Sequence, residues 1–413
     1  MRLEELKDKK ILILGYSKEG KATEKFLNKF FPEIRYGIAD KRLSPDYLKD
    51  QINYDLVIKT PGISKNKVVV PYTTATNIFF ANTKNKIIGV TGTKGKSTTA
   101  SLIFSILKEA GYQVYLLGNI GQPMLEALTW SVNKNSIFVC ELSSYQLDDI
   151  SYSPTISVIL DLFPDHMTYH GNITEYYQAK KNIINFQKSS DFFVYNPDDR
   201  ILKLWSKNSI AKAIAFTENL PVADSEIPLI GSHNRSNIRA AVTVARIMNI
   251  EDKFISTAIK KFKPLPHRLQ SVGKFRNIEF YDDAISTTPE STIFAIKALK
   301  NIGTIFLGGE DRGYNFSSLI DFLIQYKIPN IVFFPTTGER ILKLLKTKVA
   351  KMPNFLITDK MEEAIKFAYK FTPKNSICLL STASPSYSLW KNFEEKGDQF
   401  QFYANKYKKE PNH

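Results

Sequence analysis

The stretch IIGVTGTKGKSTTASLI, Ile87 to Ile103, limits the possible folds of this chain more than any other. Ile87-Ile88-Gly89-Val90 is an apolar run that reads as a short buried strand. A glycine-rich turn follows, and Thr98 to Lys108 keeps apolar residues at helical spacing. Strand, glycine loop and helix in this order form a phosphate cradle. The glycines let backbone N–H groups come close, and the helix N-terminus adds partial positive charge. The usual pattern, G-x-x-x-x-G-K-[ST], wants glycine where this chain has Val90, so the loop is a shorter variant, Gly92-Thr93-Lys94-Gly95-Lys96-Ser97. Lys96 is placed to reach the β- and γ-phosphates and is expected to face solvent; the Ser97 hydroxyl is placed to bind Mg²⁺.

A length of 413 residues allows two to four domains at roughly 100–200 residues each. Lys and Arg number 56 against 41 Asp and Glu, a formal charge of +15. That excess suits anionic ligands, but many lysines fall at exposed helix positions in a Lys-, Ile- and Asn-rich background. A solvated basic surface is therefore the plainer reading. Nucleic-acid binding would need basic residues interleaved with aromatics on one face, and no stretch has that pattern. Cys140 and Cys378 lie far apart inside apolar runs, as buried free thiols of a reducing cytosol do. No apolar stretch approaches the roughly 18 residues of a membrane span, and the run after the charged start MRLEELKDKK is too short for a signal peptide. A cytoplasmic protein is expected.

Residues 9 to 40 read as strand, glycine turn, helix and strand, a Rossmann-like half ending at Asp40. An acid at that position can bond a ribose or a sugar-nucleotide head, whereas the turn Gly15 to Gly20 is equally a nucleotide site or a plain tight turn. Asp55 to Lys59 is a further strand, leading into Thr60-Pro61-Gly62-Ile63. The polar stretch Ala81 to Asn85 marks a boundary before the phosphate-loop strand. Beyond it, strands are expected at Val114 to Leu117, Ser136 to Cys140, Ile156 to Leu160, Phe192 to Tyr195 and Ala213 to Phe216. Glu141 ends a buried strand in the phosphate-loop sheet, where a carboxylate makes a good Mg²⁺ ligand, although an ordinary strand-end acid would look the same. Asn234 and Asn237 share one face of a helix start, where asparagines also serve as caps.

Pro264 to Arg268 breaks the helical pattern and reads as an interdomain linker. After it, strand and helix alternate four times, with strands at Ile278 to Tyr281, Thr304 to Leu307, Ile331 to Phe334 and Ile377 to Leu380. Such alternation means a parallel sheet covered on both faces. Polar loops at strand ends run from Asp282 to Thr288, Gly308 to Gly313 and Ser381 to Ser386. The tail from Tyr407 to His413 reads as disordered.

The ordered set GVTGTKGKSTT, GNIG, ELSSYQL, DHMTYHGN, YYQAKKNI, GSHNRSNIRAA, LPHR and KNFEEKGDQF resembles the Mur ligase family along essentially the whole chain. ELSSYQL and KNFEEKGDQF are its most specific parts and point to the glutamate-adding branch, which acts on UDP-N-acetylmuramoyl-L-alanine in peptidoglycan precursor synthesis. The resemblance implies an α/β chain of three domains: a Rossmann-like UDP-substrate domain over 1–83, a central P-loop ATPase-like domain over 84–263, and a Rossmann-like parallel-sheet domain over 264–413 that binds the amino acid. It implies a cytoplasmic, monomeric enzyme using ATP and Mg²⁺ to activate a carboxylate as an acyl phosphate. Carried over by motif, Gly92, Thr93, Gly95, Lys96, Ser97, Thr98, Asn234, Asn237, Arg268 and Asp283 match ATP contacts. Ser97, Glu141, His166 and Lys180 match metal-site positions, with Lys180 carbamylated. The frame Tyr176-x-x-Ala179-Lys180-x-x-Ile183 favours it over the adjacent Lys181. Ser17, Asp40, Lys41, Arg42 and Gly62 match the uridine diphosphate site, and Asn119 and Ser143 the muramoyl site. Thr287, Arg312, Ser386, Tyr387 and Phe393 match the glutamate pocket.

The chain departs from the family in that pocket. Where a lysine is usual after Asp283, Ile285 stands, and Arg312 replaces a lysine in the next loop. A guanidinium binds carboxylates in a fixed plane and does not substitute for an ammonium. D-glutamate is the expected substrate, and L-glutamate the alternative. A catalytically silent relative, the remaining rival, would be expected to have lost Lys96, Glu141, His166 or Lys180, and all are present.

Overall fold

The computed structural model describes residues 1–216 and 219–409. The chain divides into two compact units, Met1–Pro228 with His233–Phe262, and Leu229–Ser232 with Lys263–His413.

The first unit holds two parallel sheets. One has β1 (Ile11–Leu14), β2 (Tyr36–Ala39), β3 (Leu56–Lys59) and β4 (Tyr72–Thr74) in the order β2-β1-β3-β4. β1 and β3 are buried at every residue; β1 is accordingly an unbroken apolar run, and β3 is apolar up to its last residue, Lys59. The other has β5 (Lys86–Thr91), β6 (Val114–Gly118), β7 (Ile137–Glu141), β8 (Ile156–Ile159), β9 (Phe192–Tyr195) and β10 (Lys212–Ala215) in the order β10-β9-β8-β5-β7-β6. The phosphate-loop strand β5 therefore lies between β7 and β8, so the carboxyl ends of three neighbouring strands carry Gly92, Glu141 and Asp161.

A single core runs under both sheets, joining Ile13, Phe26 and Ile58 to Phe138, Cys140 and Leu147. The helix Ala75–Asn82 fills the space between them and is buried from Ala75 to Phe80. It is capped by Thr74, whose Oγ1 accepts from Asn77 N, and its Phe79 ring packs edge-on against Phe138 with centroids 5.4 Å apart. A buried ion pair also crosses this junction. Lys59 Nζ lies 2.5 Å from Asp149 Oδ2, and both side chains are almost fully excluded from water. Lys59 donates as well to Ile63 O at 2.8 Å.

The second unit contains β11 (Gln270–Phe275), β12 (Ile278–Asp282), β13 (Ile302–Gly308), β14 (Asn330–Phe334), β15 (Asn354–Ile357) and β16 (Ile377–Leu380) in the order β11-β12-β16-β13-β14-β15. The four expected strands are present and parallel. Both edges are additions. β11 pairs antiparallel with β12 and is interrupted by a register shift at Gly273, which hides its alternation. β15 is short and mostly exposed, and lacks the buried apolar run that marks its neighbours. β4 escaped the sequence reading for the same reason: it has three residues, YTT. The tail is ordered further than expected. The helix Phe393–Lys406 runs up to it, and Tyr407 is 5% exposed in the core; residues 410–413 lie outside those described.

Candidate active site

The turn after β5 is built by glycines in conformations that other residues avoid. Gly92 has φ +150° and Gly95 has φ +83°, directly before the helix Lys96–Glu109. A Cβ on Gly95 would meet Asn237 Oδ1 at 2.2 Å. Asp161, which follows β8, accepts from Thr93 N and Lys94 N at 3.0 Å each, so its carboxylate fixes the loop from the side. Burial raises the Asp161 pKa. Ser97 stands half-buried in the first helical turn, where backbone N–H groups lack intrahelical partners. Thr98 beside it is buried, and its Oγ1 has no hydrogen-bond partner among the described residues.

Lys96 does not face solvent as expected. Its half-buried side chain folds back, and Nζ donates to Gly92 O at 3.1 Å and Thr93 O at 3.0 Å. The loop carbonyls are the nearest acceptors, and they draw the ammonium inward. Lys180, on the helix Ile173–Asn185, is 1% exposed and donates to the same Gly92 O at 2.8 Å. Desolvation, then the Lys96 cation, hold its pKa well below the ordinary lysine range. Lys181 points elsewhere, with its amine 5.7 Å over the Trp205 ring.

Glu141 closes β7 with its side chain buried. Its Oε1 accepts from Asn119 Nδ2 at 2.9 Å, while Oε2 has no hydrogen-bond partner among the described residues. A buried carboxylate oxygen without a donor is costly unless something cationic answers it. His166 stands in a left-handed backbone conformation, with Nδ1 2.9 Å from Tyr145 Oη. Its pKa is pushed down to about 4, chiefly by desolvation, with the neighbouring lysines adding to the effect and Asp165 opposing it. Among the described residues no three His, Cys, Asp or Glu side chains group as a metal cage. Asn234 and Asn237 are buried, and Asn237 Nδ2 donates to Asn234 Oδ1 at 3.0 Å.

A pocket of about 270 Å³ lies at the carboxyl ends of the strands, between the first two sheets. It brings together Ser17, Gly62, Asn119 and Ser143 from the sequence reading, with Glu19 and Tyr145, which that reading did not single out. A larger groove of about 550 Å³, lined by Lys7, Arg35 and Asp55, opens at the opposite end of the first sheet. Parallel sheets hold their ligands at carboxyl ends, so the smaller pocket is the candidate. Asp40, Lys41 and Arg42 are not among its walls. Asp40 accepts from Tyr16 N at 2.6 Å and from Arg42 Nε at 2.8 Å, and Arg42 reaches Tyr16 O at 2.6 Å. This clamp on the Gly15 turn holds the Asp40 carboxyl well below the usual carboxylate range. Lys41 is exposed.

In the second unit the three polar loops join at the adjacent ends of β12, β16 and β13. Ser381 Oγ donates to Asp283 Oδ2 at 2.8 Å, Gly308 N to Thr382 O at 2.8 Å, and Glu310 N to Pro385 O at 2.9 Å. Asp283 is buried, and desolvation raises its pKa to about 6 against the pull of Ser286, Ser381 and Arg268. Arg312 is exposed. It lies 5.7 Å over the Tyr387 ring and is bonded to Glu310 Oε2 through Nε at 3.0 Å. Ser386 is buried and its Oγ has no hydrogen-bond partner among the described residues. Thr287 is half-buried after β12, and Phe393 packs edge-on against His267 with centroids 6.1 Å apart.

Sequence reasoning missed two further groups here. His267 Nδ1 pairs with the fully buried Asp282 at 2.7 Å. Lys396 is fully buried, donates to Thr382 Oγ1 at 2.6 Å, and has its pKa lowered by burial to about 7. The signal for Lys396 was available: Phe393, Lys396, Gly397 and Phe400 fall at helical spacing on one face, so the lysine occupies a core position.

Residues 90–224 match the Mur ligase middle domain. The UDP-N-acetylmuramoylalanine–D-glutamate ligase of Clostridioides difficile is 31% identical to the chain, over 98% of it and 100% of the relative. That of a Geobacillus species is 31% identical over 95% and 96%. Among solved structures, MurF ligase from Thermotoga maritima in complex with ADP superposes with a TM-score of 0.64 at 14% identity, covering 98% of this chain and 96% of that one. MurC from the same organism gives 0.62 at 17% identity, covering 97% and 99%. The three sheets of the chain, parallel except for the edge strand β11, are the fold those structures share. An end-to-end match at this identity, on top of that common fold, places the chain in the Mur ligase family.

Proposed function

We propose that the protein joins D-glutamate to UDP-N-acetylmuramoyl-L-alanine at the expense of ATP, a step of peptidoglycan precursor synthesis. One observation carries the reading. Asn119 is both a wall of the substrate pocket and the hydrogen-bond donor to Glu141 beside the phosphate loop. A substrate carboxylate in that pocket would meet the γ-phosphoryl group at this junction. The names of the full-length relatives support the same reaction. In this reading residues 1–83 hold the uridine nucleotide, 84–263 the ATP, and 264–413 the amino acid.

The chemistry asks for charge neutralisation and positioning rather than for a protein nucleophile. The substrate carboxylate oxygen attacks the γ-phosphorus and ADP leaves. The glutamate amine then attacks the acyl carbon, a proton is lost from nitrogen, and inorganic phosphate leaves. Lys96, released from the loop carbonyls, is the cation for the transferring group, and first-turn N–H groups at Lys96 and Ser97 hold its neighbours. Asn234, Asn237, Arg268 and Asp283 are assigned to the nucleotide, and Asn237 Oδ1 packs against Gly95 of the loop. The orphaned Glu141 Oε2 and the Ser97 hydroxyl would supply hard oxygen donors of the kind Mg²⁺ takes, with His166 assigned to a second ion. Bound there, Mg²⁺ would neutralise charge on the phosphates. Burial lowers the Lys180 pKa and so favours the neutral amine, the form that takes up CO₂ as a carbamate with loss of a proton, which would place an anion beside the loop.

Thr287, Arg312, Ser386, Tyr387 and Phe393 are assigned to glutamate. L-glutamate is the competing reading, because Ile285 supplies no cation and Arg312 is already paired with Glu310. Phosphate release with UDP-N-acetylmuramoyl-L-alanine, ATP and a panel of amino acids tests the whole assignment. D-glutamate is expected to support turnover. Preference for L-glutamate at equal concentration would reverse the handedness, and no release with either would reject the reaction.

A further inference from the structure

The pocket between the first two sheets contains one acid with no hydrogen bond to its carboxyl. Glu19 stands in the first turn of the helix Lys18–Phe30 and lines the pocket beside Ser17, Gly62, Asn119 and Ser143. Among the described residues its carboxyl has no hydrogen bond, and the cation that acts on it, Lys59 of β3, is already committed to Asp149 and Ile63 O. Lys18, next to it on the helix, also lines the pocket, and its amine donates to Gly121 O at 2.8 Å. From the second sheet the titratable group in the pocket wall is Tyr145, whose hydroxyl is bonded to His166. Lys18 and Lys59 thus both have other acceptors. Desolvation accordingly raises the Glu19 pKa to about 7, against the pull of Lys59.

A free helix N-terminus in a carboxyl-end pocket is a natural seat for a phosphate. An ionised carboxylate in that turn would oppose the anion, whereas a carboxylic acid can donate to it. We propose that Glu19 decides the protonation state in which this pocket accepts the diphosphate of its substrate: as the acid it donates a hydrogen bond to the nucleotide, and as the carboxylate it excludes it. The proposal rests on the uridine-nucleotide reading above and deepens it. Binding then takes up a proton at neutral to alkaline pH.

The test has two arms. In the first, KM for UDP-N-acetylmuramoyl-L-alanine is measured from about pH 6 to 9 in the wild type and in Glu19→Gln. The wild-type KM is expected to rise by up to about tenfold per pH unit above neutrality, the limit for one linked proton. Glu19→Gln should hold a nearly constant KM, with KM for ATP and glutamate following the wild type. In the second, calorimetry of UDP with the wild-type protein in buffers of different ionisation heat reads proton uptake directly and needs no variant. A KM slope unchanged in Glu19→Gln, or UDP binding with no proton uptake at about pH 8, overturns the proposal. UDP binding with uptake but without turnover keeps it and rejects the proposed reaction instead. No binding of UDP by the folded protein rejects both.

Discussion

Two lysine amines share one carbonyl oxygen, Gly92 O, and that contact defines the chemistry of single residues here. Each amine is held by loop acceptors, so neither side chain carries the fold. Lys96→Ala is expected to lower kcat by about 100- to 1,000-fold, the scale of removing one preorganised donor. Its thermal midpoint should stay within a few degrees of wild type by calorimetry. Lys180→Ala should be inactive as well, and acetate should restore part of its activity if the missing group is a carboxylate; failure of acetate alongside full wild-type activity in bicarbonate-free buffer would reject the carbamate. The burial of Lys180 follows from its frame: Tyr176, Ala179 and Ile183 are 0–1% exposed, and Lys181 is one step round the helix from that face. Asp161 was not legible: an acid after a strand has no local mark, and the backbone it grips lies 68 residues earlier.

At the scale of elements, the helix Phe393–Lys406 carries a lysine where a core side chain belongs. Burial pushes the Lys396 pKa down to about 7, from 10.5 in the unfolded chain. Between those values the unfolded chain binds a proton that the folded chain does not, so stability rises with pH through that window and the full cost is present below it. The slope is at most about 1.4 kcal/mol per pH unit. Denaturant unfolding from about pH 7 to 9 should show this rise in the wild type, and Lys396→Met should flatten it. Strands with buried apolar runs were all readable from the sequence. β11 and β15 were not, because a bulge at Gly273 breaks the alternation of one and the other is a mostly exposed edge.

Over the larger scale of the first unit, two sheets are fastened by Phe79 on Phe138 and by the Lys59–Asp149 pair. Asp149→Ala strands a buried ammonium and should lower the unfolding free energy of this unit by about 3–5 kcal/mol, measured by denaturant titration. Nothing local in the sequence announces that pair. Its partners are far apart along the chain, and both look like ordinary strand- and loop-end charges. The shared core also has a kinetic meaning. The pocket of about 270 Å³ has both of its walls on one packed body, so its mouth has no hinge on which to open. Encounter with a uridine nucleotide then needs no prior rearrangement, and differences among such ligands should reside in how long they stay. Stopped-flow traces for UDP and larger uridine diphosphate sugars should give association rates within about tenfold of each other while dissociation rates spread more widely. In this pocket, residence time is the quantity that selection, or an inhibitor chemist, has to work on.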